Sequence, residues 1–245
     1  KNGHYPQCSE VKERLPGGFA EYILVPEILI ENGTYLLPQD ISFDQSTFIE
    51  PLACVVRAQR LAGVKKGQTV LVIGCGMSGL LNVKLARTKG CRLIAADINQ
   101  TKLEIARQMG ADITINAADD ISKQLVKESC KKADVVFLCA SVDSAVEQAW
   151  KCVDKGGFVV LFAVPGPDKK VVVPVNDFWM KEITILTSYY CGPLDIIEAI
   201  KLIEWRHIVV DNLITHRLPL AEIVKGFQLV TNGRESIKVI IKPNI

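Results

Sequence analysis

The chain has 245 residues, 49% of them apolar and 23% charged, and Lys plus Arg exceed Asp plus Glu by 29 − 27 = 2. That is an ordinary globular composition, which excludes intrinsic disorder, collagen-like repeats and low complexity. A net charge of +2 with no dense block of either sign offers no phosphate-gripping surface, and no apolar stretch approaches the roughly 18 residues that span a bilayer, so neither nucleic acid nor membrane is an expected partner.

Residues 18–37 read as short β segments, punctuated by Pro26 and Asn32-Gly33. From Val70 a strand–helix alternation begins. Val70-Leu71-Val72-Ile73 is a short, wholly apolar run of the kind buried on both faces of a parallel sheet. A helix with Met77, Leu80, Leu81 and Leu85 follows, then a strand Leu93–Ala96 that ends at Asp97. Helix 101–108 stops at Gly110, and a short strand surrounds Ile113–Ile115. Helix 119–128, strand Val135–Leu138 and helix 143–151 come next. A turn at Gly156-Gly157 leads into strand Phe158–Phe162, and Ile183–Thr187 is the sixth strand. The alternation predicts a doubly wound parallel sheet with right-handed crossovers, an α/β Rossmann arrangement. Residues 213–245 read as strand, helix and strand, with Ile223, Phe227 and Val230 on one helix face and Asn232-Gly233 ending it. Both flanks are expected to belong to a second, β-rich domain, joined to the first by a helix near 195–203.

Gly74-x-Gly76-x-x-Gly79 lies where the first strand turns into its helix. There the first glycine permits the tight turn, the second lets backbone approach a pyrophosphate, and the third allows close helix–strand packing. The helix start, at Met77 and Ser78, offers unpaired amides and a positive dipole end to the anion. Asp97 closes the second strand 97 − 79 = 18 residues later, where a carboxylate accepts hydrogen bonds from the adenosine ribose. A 2′-phosphate there would meet like charge, and Ile98-Asn99-Gln100 supplies no Arg to counter it, so NAD is expected over NADP.

The eight cysteines are Cys8, Cys54, Cys75, Cys91, Cys130, Cys139, Cys152 and Cys191, dispersed with no Cys-x-x-Cys pair. That pattern fits a reducing cytoplasmic setting better than a disulfide scaffold. No signal peptide opens the sequence, and its first residue is Lys1 rather than Met.

On several stretches the sequence resembles the zinc-dependent medium-chain dehydrogenases, near the polyol and threonine dehydrogenase branch. These are Gly17-Gly18-Phe19-Ala20-Glu21-Tyr22, Ile49-Glu50-Pro51-Leu52-Ala53, Gly74-Cys75-Gly76-Met77-Ser78-Gly79, Asp97-Ile98-Asn99, Gly156-Gly157, Lys181-Glu182-Ile183-Thr184, Ile214-Thr215-His216-Arg217 and Ile237-Lys238-Val239-Ile240-Ile241-Lys242-Pro243. The resemblance implies an enzyme that passes hydride from a secondary alcohol to NAD while a zinc ion polarises the alcohol oxygen. It implies a Rossmann domain over 51–189, flanked by a partial GroES-like catalytic domain over 1–50 and 190–245. By the same resemblance Asp97 and Lys102 contact the adenosine ribose, Ile98 lies beside the adenine, and Lys238 lies near the pyrophosphate. Phe162, Ala163 and Val164, together with Ser188 in Thr187–Tyr189, line the nicotinamide. Glu50 matches a catalytic zinc ligand, and Cys8 matches one cysteine of the structural zinc lobe.

The family's other zinc ligands, a Cys and a His-Glu pair, belong to a portion expected upstream of Lys1, so the chain is expected to be N-terminally incomplete. His216 is expected to be a hydrogen-bonded structural residue. Ile183–Thr187 would be the last strand of the sheet, and pairing of that edge with its twin implies a homodimer or homotetramer. Two other readings remain open from the residues: a dinucleotide-binding module without catalysis, and a zinc-free quinone-reductase-like enzyme using NADPH.

Overall fold

A computed structural model describes residues 17–128, 130–166 and 168–243. The chain divides into two units: the described parts of Lys1–Ala53 with Tyr190–Ile245, and Cys54–Tyr189.

In chain order the elements are helices α1 (Glu27–Gly33), α2 (Phe43–Ser46) and α3 (Ile49–Leu61), then strand β1 (Thr69–Ile73) and helix α4 (Met77–Thr88). Next come β2 (Arg92–Asp97), α5 (Gln100–Gln108), β3 (Ile113–Asn116), α6 (Ile121–Lys127), β4 (Ala133–Leu138), α7 (Asp143–Cys152) and β5 (Val153–Leu161). The chain continues with α8 (Val175–Lys181), β6 (Thr184–Thr187), α9 (Pro193–Glu204), β7 (Ile214–Pro219), α10 (Ile223–Asn232) and β8 (Lys238–Lys242).

The larger unit is one parallel sheet of six strands in the order β3-β2-β1-β4-β5-β6. Its register sets Ile73 of β1 opposite Ala96 of β2 and Leu138 of β4. Residues 70–73 of β1 are all buried, which is why that run carries no polar side chain. Leu71 and Ile73 pack with Ile121, Leu125, Val146 and Ala149 in one cluster. Leu80 and Leu81 of α4 are fully buried, each worth about 2 kcal/mol of transfer free energy. Strand order reverses between β1 and β4, so their carboxyl ends open a crevice, the usual ligand site of such sheets.

One local expectation is corrected in this unit. Gly156-Gly157 is not a turn ahead of a strand but lies inside β5. Ala133 pairs with Val153 and Val135 with Phe158, so two steps along β4 oppose five along β5. The three surplus residues form a bulge that needs this glycine pair: Gly156 has φ +68°, and a Cβ on Gly157 would lie 2.8 Å from the Asp134 carbonyl oxygen.

In the smaller unit β7 and β8 form a parallel pair. The β segments expected over 18–37 are absent, and residues 27–33 are helical instead. No strand lies beside this segment among the described residues. Helical coiling pairs backbone groups locally, the amides of Leu29 and Ile30 donating to the Pro26 carbonyl, and the Asn32 side chain donates to Ile28. In α10 the face carrying Phe227 and Val230 is exposed at 56% and 58% rather than buried. The helix meets the strand pair through Gly226, whose absent Cβ would stand 2.9 Å from Cδ1 of Ile241. Phe227 packs edge-on against Phe19 at 5.5 Å.

Candidate functional site: a nucleotide cradle and a carboxylate–thiol pair

The β1–α4 turn is built by steric necessity. Gly74 has φ +97°, and a Cβ there would lie 2.9 Å from the Cys139 carbonyl carbon. A Cβ on Gly79 would fall 1.8 Å from the Gly74 carbonyl oxygen, so only glycine lets α4 start this close to the turn. Gly76 has nothing within 4 Å of its Cβ position, which leaves open the face a pyrophosphate needs. Gly76 is also the N-cap of α4 and supplies no side-chain hydrogen bond. The first-turn amides, including those of Met77 and Ser78, therefore remain for an anion.

Asp97 ends β2 beside this turn. Its Oδ2 accepts from the Cys75 amide at 2.6 Å and its Oδ1 from the Asn99 amide at 2.8 Å. Asn99 in turn caps α5, accepting from the amides of Thr101 and Lys102. Ile98 is 75% exposed and Lys102 half-buried. On the nicotinamide side, Phe162 and Ala163 both donate their amides to the Leu138 carbonyl, at 3.1 and 2.8 Å, which folds the segment after β5 over the end of β4. Val164 is exposed. The Ser188 hydroxyl, just beyond β6, is buried without a hydrogen-bond partner.

The residues fit a dinucleotide. A carboxylate has about four lone-pair sites, so two on Asp97 remain for a ribose diol. Ser188 supplies an orphaned buried polar atom, and Gly76 an open approach. The thiols beside the turn are inert. Burial pushes the Cys139 thiol up to about 12. Burial, then the Asp97 charge, raises Cys75 further still.

In the smaller unit Glu50 stands exposed in the first turn of α3. Its carboxylate and the Cys191 thiol each place a donor atom within 4.8 Å of the other. The Glu50 carboxylate fits a zinc ion as one of four ligands. Sequence reasoning missed Cys191: 141 positions separate it from Glu50, and only the fold reveals the pairing. It also missed the capping role of Asn99, although an Asn directly before a helix was the available signal.

Lys238, on β8, donates from Nζ to the Thr47 carbonyl at 3.1 Å and lies 5.2 Å from the centre of the Phe48 ring. Burial lowers its pKa, and Glu50 raises it in opposition. His216 sits half-buried on β7, and its Nδ1 is buried with no partner, so the expected structural hydrogen bond is not made at that atom. The register of β7 slips between Ile214 and His216, which displaces this side chain from regular pairing. Cys8 lies outside the described residues.

A doubly wound sheet with a glycine turn, an uncapped helix start and a strand-end acid defines a dinucleotide-binding Rossmann domain. Residues 79–205 match the model of the zinc-binding dehydrogenase family. The chain is 35% identical to erythritol/L-threitol dehydrogenase of Mycolicibacterium smegmatis, over 99% of this chain and 68% of that protein. It is 29% identical to sorbitol dehydrogenase of Gallus gallus, over 85% of this chain and 59% of that one. A crystal structure of a candidate zinc-binding dehydrogenase from Sinorhizobium meliloti, bound to NADP, superposes with a TM-score of 0.83 at 31% identity, covering 93% of this chain and 66% of that one. The chain belongs to the zinc-binding dehydrogenase family. It spans about 59% to 68% of the two curated relatives named here.

Proposed function

We propose that the intact protein is an alcohol oxidoreductase that moves hydride from a secondary alcohol carbon, in a polyol, sugar alcohol or hydroxyamino acid, to NAD. The observation that carries this reading is Asp97, held between the Cys75 and Asn99 amides. It faces the glycine turn with lone pairs to spare for a ribose diol, and its charge opposes a 2′-phosphate. The polyol class is taken from the named relatives. The NADP-bound relative makes nucleotide choice the point most in need of measurement.

When bound, zinc supplies a Lewis acid that lowers the alcohol's pKa, and NAD supplies the hydride acceptor. The chain's own residues do the positioning. Gly76 and the first-turn amides of α4 hold the pyrophosphate. Asp97 fixes the adenosine ribose, with Lys102 and Ile98 beside it. Phe162, Ala163 and Val164 wall one side of the nicotinamide and exclude water, and Ser188 offers its unpartnered hydroxyl to the carboxamide. Glu50 contributes a carboxylate to the metal. Lys238 serves the start of α3, where its ammonium engages the Thr47 carbonyl. We place the domain boundaries near residues 50 and 190.

We also propose a homodimer, or a homotetramer built from it, formed through β6, which ends the sheet order and has one edge without a neighbouring strand among the described residues. No helix among the described residues is long and apolar enough to cross a membrane, and no disulfide links the seven described cysteines; a cytoplasmic location agrees with both.

Fluorescence titration with NADH and NADPH, run beside an activity assay over a polyol panel, tests the reading. Tight NADH binding with turnover supports it. Preference for NADPH overturns the nucleotide assignment, and NADH binding without zinc or turnover leaves a dinucleotide-binding module.

A further inference from the structure

We propose that Asn82, oriented by Gln59, is a positioning residue of the dinucleotide crevice, setting the spacing between the first turn of α4 and the end of β4; this rests on the dinucleotide reading of the glycine turn given above. Asn82 lies on α4 and Gln59 on α3, and both are fully buried. The Asn82 Nδ2 donates to the Ser78 carbonyl at 3.0 Å and to the Cys139 sulfur at 3.7 Å. Ser78 belongs to the first turn of α4, whose amides are offered to the pyrophosphate, and Cys139 is the first residue beyond β4. One amide group therefore touches both walls of the opening between β1 and β4. Gln59 fixes its direction, because Gln59 Nε2 donates to the Asn82 carbonyl at 2.9 Å and to Asn82 Oδ1 at 3.3 Å, which leaves Nδ2 to face Ser78 and Cys139.

Stability alone does not account for this network. Burying amides costs free energy unless every polar atom is bonded, and Gln59 Oε1 is buried with no hydrogen-bond partner. Asn is also a poor residue inside a helix, because its side chain competes for backbone groups; the bond from Asn82 to Ser78, four residues back, is such a competition. The other buried residues of α4 are apolar or glycine. A buried polar pair that breaks these local rules is expected where function requires it. The surroundings show what remains to be fixed. The Cys139 amide donates to the Ile73 carbonyl at 2.8 Å, and a Cβ on Gly74 would lie 2.9 Å from the Cys139 carbonyl carbon. Backbone contacts thus hold Cys139 against β1 and the glycine turn, and the Asn82 side chain ties α4 to the same residue. With that wall fixed, the first-turn amides meet a pyrophosphate without rearrangement, so less of the binding free energy is spent on ordering them.

The test uses the full chain and compares NADH with adenosine, which occupies the Asp97 side alone and carries no phosphate. Asn82→Ala should weaken NADH binding about threefold to tenfold, the worth of one hydrogen bond, and leave adenosine binding as in wild type. Asp134→Ala is the stability control: it removes the acceptor of the Thr69 amide, bonded at 2.7 Å, where β1 and β4 begin, at the opposite end of both strands from the crevice. It should lower the melting temperature with NADH affinity unchanged. Asn82→Ala and Cys139→Ala should be non-additive in NADH affinity, the double variant losing no more than the larger single loss. Equal weakening of NADH and adenosine by Asn82→Ala, or an NADH loss in Asp134→Ala as large as in Asn82→Ala, would make the network merely structural and overturn the proposal. A wild type that binds no NADH removes the dinucleotide reading, and the proposal with it. A wild type that binds NADH, beside an Asn82→Ala variant that binds it equally tightly, leaves that reading standing and overturns the proposal alone. If Asn82→Ala does not fold, Gln59→Met decides: it frees the Asn82 amide to turn, so an NADH-selective loss supports the proposal and unchanged NADH affinity overturns it.

Discussion

The Cys75 amide, inside the glycine turn, donates a hydrogen bond of 2.6 Å to Oδ2 of Asp97 at the end of the neighbouring strand. One carboxylate thus shapes the phosphate turn and presents its remaining lone pairs outward. Turn geometry and nucleotide choice are coupled through this single side chain, and two substitutions separate them. Asp97→Asn keeps an acceptor for Cys75 and removes the charge. NADH should bind about tenfold to a hundredfold more weakly, since hydrogen bonds to a charged acceptor are worth about 1.5–3 kcal/mol, while NADPH binding strengthens and thermal stability holds. Asp97→Ala should also lower the melting temperature, because the Cys75 amide loses its acceptor. Fluorescence titration and a thermal scan check both.

Gly79→Ala should damage folding and binding together. Its Cβ would fall 1.8 Å from the Gly74 carbonyl oxygen, so α4 must move away from the turn. Overpacking of this kind costs about 1–3 kcal/mol. The displaced first-turn amides should also weaken NADH binding at least about tenfold. Gly76→Ala, where a Cβ meets nothing within 4 Å, should leave the melting temperature nearly unchanged and reduce only nucleotide affinity. Equal loss of stability in both variants would contradict this account.

Ser188→Ala gives the opposite signature. Its buried hydroxyl has no protein partner, so removing it relieves a desolvation cost of about 1 kcal/mol. The variant should be as stable as wild type or slightly more so, yet bind NADH several-fold more weakly. A fall in melting temperature with unchanged NADH affinity would assign the hydroxyl a structural role.

The sheet was legible because its signals are local. Val70–Ile73 is apolar on both faces for the same reason that it is buried on both, and Gly74 and Gly79 each answer a steric demand. Asp97 was legible by its place at a strand end. Features set by distant chain were not legible. The Gly156-Gly157 pair reads as a turn in isolation, and only pairing with β4 makes it a bulge. Residues 27–33 carry β-branched residues and a Pro–Gly frame, but a strand exists only with a partner beside it. The approach of Cys191 to Glu50 depends on the path of the segment that precedes α9. What the Lys238 ammonium touches, the Thr47 carbonyl, is likewise set by a residue 191 positions away.

Asp44 links α2 to the strand pair and gives the smaller unit a defined acid sensitivity. Arg217 bonds its Oδ2 at 2.6 Å and Lys242 its Oδ1 at 3.2 Å. The Arg217 hydrogen bond holds the carboxyl below its ordinary value of 3.8, partial burial opposes this, and Lys242 adds to the lowering. A carboxyl depressed in the folded state stabilises above the unfolded pKa and loses that contribution as pH falls through the folded one. Asp44→Asn should therefore cost about 1 kcal/mol at pH 7, discounted for the exposure of Arg217, with the difference from wild type fading in strong acid as pH falls through the lowered folded-state value. Denaturant titrations at pH 7 and in strong acid measure it. A difference that persists in acid would mean that Asp44 acts through packing rather than charge.

The free edge of β6 supplies the last expectation. Strands β5 and β6 pair in register from Phe158↔Thr184 to Leu161↔Thr187, and the opposite edge of β6 has no neighbour among the described residues. Thr184 and Thr187 are exposed, and neither is one of the charged residues that soluble proteins place on edges to prevent pairing. Trp179 and Met180 of α8, close in sequence to this edge, are 80% and 66% exposed, which adds apolar surface for a twin to cover. Sedimentation at micromolar concentration should therefore give a dimer or tetramer. Thr184→Lys combined with Thr187→Lys should shift it toward monomer by placing like charges face to face across the two-fold axis. A wild type that sediments as a monomer, or a double variant that associates as well as wild type, would remove β6 from the interface.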